Sequence, residues 1–238
     1  MKRQLLNLFF PKTCPICDKV ITKNHFLCDH CVQDIKIIEE PKCQKCGRPL
    51  LREDTLFCKD CNRVGRFFDR AVSVFEHKGK LRESVYRFKY DNARIYGEYY
   101  GFMAAKLYGR QIKEWNIDAV IPVPIFRDKE LKRGYDHAKV FGLYLTKEIN
   151  IPLRDDIIKR VKNTVPQKEL DRSMRFVNLK DAFAVNREAL KGMNNVLLVD
   201  DIFTTGSTLD ACARILKKAG VQKVYGLCIS TGVDENFC

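Results

Sequence analysis

A buried-strand pattern that runs into two carboxylates and a short Thr/Gly/Ser turn constrains the fold of this chain more than any other feature. The four consecutive aliphatic residues from Val196 to Val199 predict a strand covered on both faces, as in a parallel sheet. Asp200 and Asp201 follow at its predicted end, and a helix is predicted to begin near Thr208. The backbone N–H groups of such a turn and the positive end of the helix converge on one point, which suits a phosphate.

The carboxylates and the turn together predict a ligand that carries both vicinal hydroxyls and a phosphate, such as a sugar phosphate. A glycine in the turn lets the backbone approach the phosphate closely, and the neighbouring hydroxyls add hydrogen-bond donors. The residues of this phosphate loop are Thr204, Thr205, Gly206, Ser207 and Thr208.

Two other phosphate-handling patterns are excluded within the sequence. No lysine follows Gly206, so the Walker A spacing is not met. Only 37 residues follow Asp201, too few for the further strand–helix units of a response-regulator receiver. A strand whose two acids only cap a turn stays open as an alternative.

The pattern resembles the phosphoribosyl-diphosphate (PRPP) loop of type I phosphoribosyltransferases. This resemblance implies that Asp200 and Asp201 bind the ribose hydroxyls while the loop holds the 5′-phosphate.

Eight of the 11 cysteines fall between residues 14 and 61, in four Cys-x-x-Cys pairs. One pair can place two thiolates on a metal ion from a single tight turn, and two pairs complete a tetrahedron. The pattern therefore predicts two structural Zn²⁺ sites, one from the first two pairs and one from the last two. The predicted ligands are Cys14, Cys17, Cys28, Cys31, Cys43, Cys46, Cys58 and Cys61.

Other uses of these cysteines stay open at the level of sequence. The pairs could interleave between the two ions, His25 or His30 could replace a thiolate, and an iron–sulfur cluster or disulfides could take the place of zinc. Disulfides are disfavoured because the first eleven residues carry only a short apolar stretch and no small-residue cleavage site for export. No run approaches the roughly 20 apolar residues that span a bilayer, so we expect a cytoplasmic protein without a membrane span.

The composition divides the chain in two near Gly65. Residues 1–65 are predicted to form a cysteine-rich zinc-binding module, which needs its metal because structural zinc contributes on the order of 10–16 kcal/mol to folding. Residues 66–238 alternate predicted strands and helices, which is typical of a parallel α/β sheet with helices on both faces and a ligand at the carboxyl ends of the strands. The formal net charge of +13 favours an anionic ligand or partner.

A basic segment follows the strand predicted over residues 118–123. Arg127 and Arg133 of this segment could hold a diphosphate, since each guanidinium offers paired donors. A solvated basic loop is the alternative. The polar and basic segment 160–178, between two predicted strands, could close over the site as a lid.

The helix predicted over residues 80–90 is amphipathic, with its apolar residues on one face. Another face carries Arg82, Tyr86 and Lys89. Basic residues interleaved with aromatic ones could stack on single-stranded DNA and neutralise its phosphates. An ordinary amphipathic helix with a solvated basic face explains the same pattern.

These segments together resemble the ComF family of competence-associated proteins over nearly the whole chain. The matching motifs are the Leu-Phe-Phe-Pro opening, the four cysteine pairs, Arg87-Phe-Lys-Tyr90, Ile121-Pro-Val-Pro124, Arg133-Gly-Tyr-Asp-His-Ala138, the spaced residues Arg160, Gln167, Leu170, Arg175 and Asn178, and the segment from Asp200 to Gly206. One departure is Asp136-His137, where the family usually has Asn-Gln. The resemblance implies a zinc module joined to a type I phosphoribosyltransferase-like domain, and a role in handling single-stranded DNA during natural transformation.

Two functions of different classes follow as hypotheses. In one, the chain is a phosphoribosyltransferase that binds PRPP with Mg²⁺. In the other, it is a non-catalytic adaptor whose zinc module and helix 80–90 meet single-stranded DNA or a DNA-uptake helicase. Thr204 bears on the choice, because purine-salvage phosphoribosyltransferases carry an aspartate at this place and a threonine hydroxyl cannot act as a base near neutral pH. The sequence favours a PRPP-binding fold used in DNA uptake and leaves catalysis undecided.

Overall fold

A four-stranded parallel sheet forms the centre of the protein, and its strands lie in the order β1–β6–β5–β2. The computed structural model describes residues 12–21, 25–162, 179 and 181–232. The sheet strands are β1 (Arg70–Glu76), β2 (Ala119–Pro122), β5 (Asn195–Phe203) and β6 (Lys223–Thr231), and β3 (Ile158–Arg160) pairs with β4 (Phe183–Val185) in a separate antiparallel unit. The predicted parallel sheet is confirmed.

Helices cover both faces of this sheet, as predicted. They are α1 (Asp29–Asp34), α2 (Lys59–Arg63), α3 (Gly79–Tyr90), α4 (Tyr96–Glu114), α5 (Arg127–Arg133), α6 (His137–Ile149) and α7 (Ser207–Lys218). In β5, Leu197 and Val199 belong to an apolar cluster with residues of α3, α4 and α6, whereas Val196 and Leu198 belong to a cluster with residues of α7. Successive side chains of a strand point to opposite faces, so four consecutive aliphatic residues fill both cores.

α4 and α6 pack closely against each other. A Cβ at Gly101 would lie 2.7 Å from the backbone nitrogen of Leu145, so α4 needs glycine where it crosses α6. Among the described residues, no helix combines the length and the apolar character that crossing a bilayer requires.

The cysteine-rich segment packs on the sheet in two parts, which we call the first module (residues 12–35) and the second module (residues 41–66). Cys14 and Cys31 of the first module belong to the apolar cluster that contains α3, α4 and α6. Cys43, Cys46 and Cys58 of the second module belong to the cluster that contains α7. One module therefore packs on each face of the sheet. The division of the chain into domains 1–65 and 66–238 stays a prediction.

Some segments differ from what the sequence predicted. β5 continues to Phe203 because β6 pairs with it to that point, so Asp200 and Asp201 lie within the strand. The basic segment after β2, for which no helix was predicted, forms α5 and ends at Gly134 with a φ of 77°. Most of the predicted lid and the opening motif lie outside the described residues, as do Gln167, Leu170, Arg175 and Asn178.

Candidate functional site

Asp201 is buried near the carboxyl end of β5, where a lysine and a histidine contact its carboxylate. The residue is 5% exposed. Lys89 of α3 places Nζ 2.9 Å from Oδ1, and His137 of α6 contacts Oδ2 through Nε2. Burial by itself would raise the pKa of Asp201, but Lys89 and His137 lower this pKa well below its usual range. Asp201 is therefore a charged carboxylate whose orientation is set from two helices.

Asp200 has the opposite electrostatic character. Burial, and after it the negative charge of Asp201, raises the pKa of Asp200 to about 8. Its Oδ1 accepts a hydrogen bond of 2.8 Å from the backbone N–H of Asp201. Near neutral pH one carboxyl group of the pair is charged and the other holds a proton, so the pair can both accept hydrogen bonds from a sugar and donate one to it.

A network of polar contacts links Asp201 to α5 and to the end of α3. Arg133 Nη1 lies 3.3 Å from His137 Nδ1, and Nη2 donates to the hydroxyl of Tyr90 at 3.1 Å. Because a guanidinium only donates, Nδ1 accepts, and the proton of the imidazole lies on Nε2 and faces Asp201. The guanidinium carbon of Arg133 also lies 4.7 Å from the ring centroid of Tyr90. This network fixes the orientation of the Asp201 side chain.

The structure places Arg133 in this network of contacts and Arg127 at the other end of α5, roughly 9 Å away along the helix axis. His137, which the sequence marks only as a departure from the family pattern, is the direct partner of Asp201. Asp136 caps α6, because its Oδ1 accepts from the backbone N–H of Lys139 at 3.1 Å. The Asp136-His137 pair that departs from the family pattern thus has a defined structural role.

Lys89 lies apart from the exposed face of α3 to which the sequence assigned it. Its side chain is 18% exposed and pairs with Asp201, whereas Tyr86 is 59% exposed and Arg82 is also exposed. Lys89 follows the buried Val85 by four residues, so it lies at the edge of the buried stripe of the helix. That spacing is the sequence signal for its place in the site.

The phosphate loop, residues 204–208, needs a glycine at its centre. Gly206 has a φ of +75°, and a Cβ there would lie 2.5 Å from Cζ of Phe203. Thr205 and Ser207 are buried with their hydroxyl oxygens 2.8 Å apart. The loop leads directly into the 12-residue helix α7. Its backbone amides therefore lie at the positive end of a helix dipole, as the sequence predicted for an anion site.

The eight cysteines form two separate tetrads from consecutive pairs, and within each tetrad the sulfur atoms lie within 4.8 Å of one another. The Sγ atoms of Cys17 and Cys28 are 3.6 Å apart, and those of Cys46 and Cys58 are 3.7 Å apart. A tetrahedral zinc ion with Zn–S bonds of about 2.3 Å separates its sulfurs by about 3.8 Å, whereas a disulfide needs about 2 Å. The donor set fits two structural zinc ions, and in the described part of the chain no histidine joins either cluster.

Comparison with family models identifies the class of protein. Residues 5–62 match the double zinc ribbon domain, and residues 129–232 match the phosphoribosyl transferase domain. The second match covers α5 from residue 129 onward, the carboxylate pair and the phosphate loop. The fold and the site thus define a phosphoribosyltransferase-type domain preceded by a double zinc ribbon.

Relatives over most of the chain identify the family. Competence protein F of Haemophilus influenzae is 33% identical, and the alignment covers 87% of this chain and 91% of that protein. DNA utilization protein YhgH of Salmonella typhimurium is 26% identical, with 93% and 98% covered. Competence protein ComFC of Bacillus subtilis is 25% identical, with 82% and 79% covered. The chain belongs to the ComF family, which confirms the resemblance carried by its motifs.

Proposed function

We propose that the chain binds PRPP together with Mg²⁺ at the carboxyl end of β5. The observation that carries the proposal is the continuity of the site: Asp200 and Asp201 lie in the strand that runs into the phosphate loop, and α7 begins directly after Gly206. The ribose hydroxyls would contact the carboxyl groups, and the 5′-phosphate would lie in the loop. The match to a phosphoribosyl transferase domain supports this arrangement.

The diphosphate of PRPP needs cations on the other side of the ribose. Mg²⁺ keeps several waters and binds through one or two carboxylates together with phosphate oxygens, a set that Asp200, Asp201 and the diphosphate would supply. Arg127 and Arg133 are proposed to face the diphosphate, because guanidinium groups fit phosphate oxygens with paired donors. A metal near Asp200 favours its ionised form, so binding would release a proton below pH 8.

Binding, rather than transfer to a purine base, is the activity that the loop supports. Thr204 stands where purine-salvage enzymes carry an aspartate, and its hydroxyl cannot accept a proton near neutral pH. An acceptor that is already acidic would not need such a base. The chemistry of any acceptor is therefore constrained to groups that lose a proton without help from position 204.

Calorimetric titration of PRPP with Mg²⁺ tests the proposal. Wild type should bind, and Asp200→Asn/Asp201→Asn should not, because the carboxylates for the ribose and the metal are gone. The tandem pair Asp155 and Asp156 provides a matched control, since both carboxylates are exposed and paired with basic side chains. Asp155→Asn/Asp156→Asn should bind like wild type. Equal affinity of the site variant and the control would refute the proposed site.

A second proposal concerns single-stranded DNA. The names of the relatives refer to competence and DNA utilization, and we propose that this chain handles single-stranded DNA in DNA uptake. The observation that favours contact at α3 is an exposed aromatic pair: the rings of Tyr86 and Tyr90 lie 4.7 Å apart and are 59% and 47% exposed. Exposed rings on a helix that also carries the exposed Arg82 suit unpaired bases and their phosphates. A helicase of DNA uptake is the proposed protein partner of the same surface.

Salt-dependent binding of an oligonucleotide tests the DNA proposal. If five phosphates are neutralised, the slope of log affinity against log salt should be about −3.5 for a single strand. Tyr86→Ala should weaken binding by about 1–3 kcal/mol. Phe57→Ala, which removes an exposed ring from the second module, should leave binding unchanged. A flat salt response, or equal losses in the two variants, would contradict contact at α3.

A further inference from the structure

Two arginines of the second module bind consecutive carbonyl groups of the phosphate loop. Arg48 donates through Nη2 to the carbonyl oxygen of Thr204, and Arg66 donates through Nη2 to the carbonyl oxygen of Thr205 at 2.9 Å. These contacts join residues 156 and 139 positions apart in the chain. The loop is thus held from a separate element of the protein, in addition to its own strand and helix.

The contact from Arg48 leads directly to the second tetrad. Arg48 Nη1 lies 3.2 Å from Asp60 Oδ2, and the two side chains are only 6% and 5% exposed. Asp60 stands in α2 between two ligands of this tetrad, Cys58 and Cys61. A metal that fixes these cysteines therefore also fixes Asp60, and through it the guanidinium that binds Thr204.

Holding these carbonyl groups determines where the loop amides point. In a trans peptide the C=O and N–H groups point in opposite directions. The carbonyl of Thr204 shares a peptide with the N–H of Thr205, and the carbonyl of Thr205 shares one with the N–H of Gly206. With both carbonyls turned toward the second module, both N–H groups point away from it. Successive amides aimed at one side form the concavity that binds an anion.

The second module is also attached to α7, which follows the loop, and to β1 of the sheet. Asp210 of α7 accepts a hydrogen bond of 2.7 Å from the backbone N–H of Phe67, next to Arg66. In addition, the backbone N–H of Ala71 in β1 donates to the carbonyl of Lys45 at 2.8 Å. Loss of the metal-bound fold of this module would therefore release both arginines from the loop.

We propose that Arg48 and Arg66 are positioning residues of the phosphate loop, and that metal loading of the second tetrad is coupled to ribose-phosphate binding. This inference rests on the PRPP site proposed above. Coupling between two sites is reciprocal, so bound PRPP must stabilise the metal in the second tetrad by the same factor by which that metal strengthens PRPP binding. The first tetrad, on the other face of the sheet, has no part in this coupling.

Titration of PRPP with Mg²⁺ into three variants tests the positioning role. Arg66→Met and Arg48→Met should each bind about tenfold more weakly than wild type, the effect expected for losing one charged hydrogen bond. Arg52→Met is the matched control, because Arg52 lies in the same module, its side chain is 75% exposed, and it pairs with Asp54. If both loop variants bind PRPP as tightly as wild type does, the positioning role is overturned and the PRPP site stands. Wild type that fails to bind would overturn the PRPP site and this inference together.

Zinc release from the intact protein separates positioning from general stability. The protein is exposed to a zinc chelator and a thiol-alkylating reagent, and the alkylated cysteines are identified by peptide mass spectrometry. PRPP with Mg²⁺ should slow alkylation of Cys43, Cys46, Cys58 and Cys61 about tenfold, and should leave Cys14, Cys17, Cys28 and Cys31 unchanged. Arg66→Met should keep two zinc equivalents and weaken this protection, whereas Arg52→Met should retain it in full. If PRPP protected both tetrads equally, or bound without protecting either tetrad, the proposed coupling would be overturned.

Discussion

The two cysteine modules have nearly the same ligand spacing, with 10 and 11 residues between their cysteine pairs, but they contact the rest of the protein differently. In the first module the backbone accepts: Arg87 of α3 donates to the carbonyl of Ile16, and Ser84 donates to that of Pro15. In the second module the side chains donate, because Arg48 and Arg66 reach out to carbonyl groups of the phosphate loop. The first module thus accepts hydrogen bonds from side chains of α3, whereas side chains of the second module donate hydrogen bonds to the phosphate loop.

The ion pairs beside the tetrads differ in the same sense. In the second module, Arg48 and Asp60 are almost fully buried. Beside the first tetrad, Asp34 of α1 pairs with Lys80 of α3 at 2.7 Å, and the side chains are 38% and 50% exposed. A buried pair is costly to break, while an exposed one contributes little. Two metal-binding modules with similar ligand spacing can therefore have different roles, and the surface on which each module packs determines its role.

The largest expected effect comes from removing one metal ligand from each tetrad. Cys58→Ser and Cys28→Ser should each lose one of two zinc equivalents, measured by plasma mass spectrometry. Only Cys58→Ser should abolish PRPP binding in calorimetry, because the second module then releases the loop carbonyls. Cys28→Ser should keep affinity within about threefold, which is less than 1 kcal/mol. Equal losses of affinity would break the distinction between the modules.

Breaking the two ion pairs should give a smaller, graded difference in stability. Asp60→Ala should lower the free energy of unfolding by about 3–5 kcal/mol, because it removes the carboxylate partner of the buried Arg48. Asp34→Ala should lower it by less than about 1 kcal/mol, because its pair is exposed to water. Urea unfolding at a fixed free zinc concentration measures both. A cost for Asp34→Ala as large as that for Asp60→Ala would show that the first module is as tightly integrated as the second.

A smaller effect than that of Asp60→Ala concerns Asp200, whose ionisation makes the free energy of unfolding depend on pH while both modules stay intact. The pKa of Asp200 is raised to about 8, against about 3.9 in an unfolded chain. The folded state therefore binds more protons between these values, and the free energy of unfolding falls as pH rises toward 8 and is then constant. Between pH 6.5 and 9, wild type should lose roughly 1–2 kcal/mol relative to Asp200→Asn. Urea unfolding of both proteins at the two pH values checks this, and parallel changes would contradict the raised pKa.

The local parts of the site followed from the sequence. Four aliphatic residues from Val196 onward, two carboxylates and a Thr/Gly turn predicted a buried strand that leads through a short turn into a helix, and β5, the loop and α7 have this form. Anion binding at this helix end stays a prediction. The cysteine spacing predicted two tetrads of consecutive pairs, and these are the tetrads observed. Such features depend on spacing within a few dozen residues, and local geometry determines what that spacing can build.

The partners of these local parts were decided only by the tertiary structure. The spacing of residues could not show that His137 and Lys89 meet at Asp201, because their helices come together only when α3 and α6 pack on one face of the sheet. Nor could it show that Arg48 and Arg66 bind the loop, since the pattern of a cysteine module carries no information about the surface it will cover. Periodicity encodes which face of an element is buried, but contacts between residues more than a hundred positions apart depend on how whole elements pack.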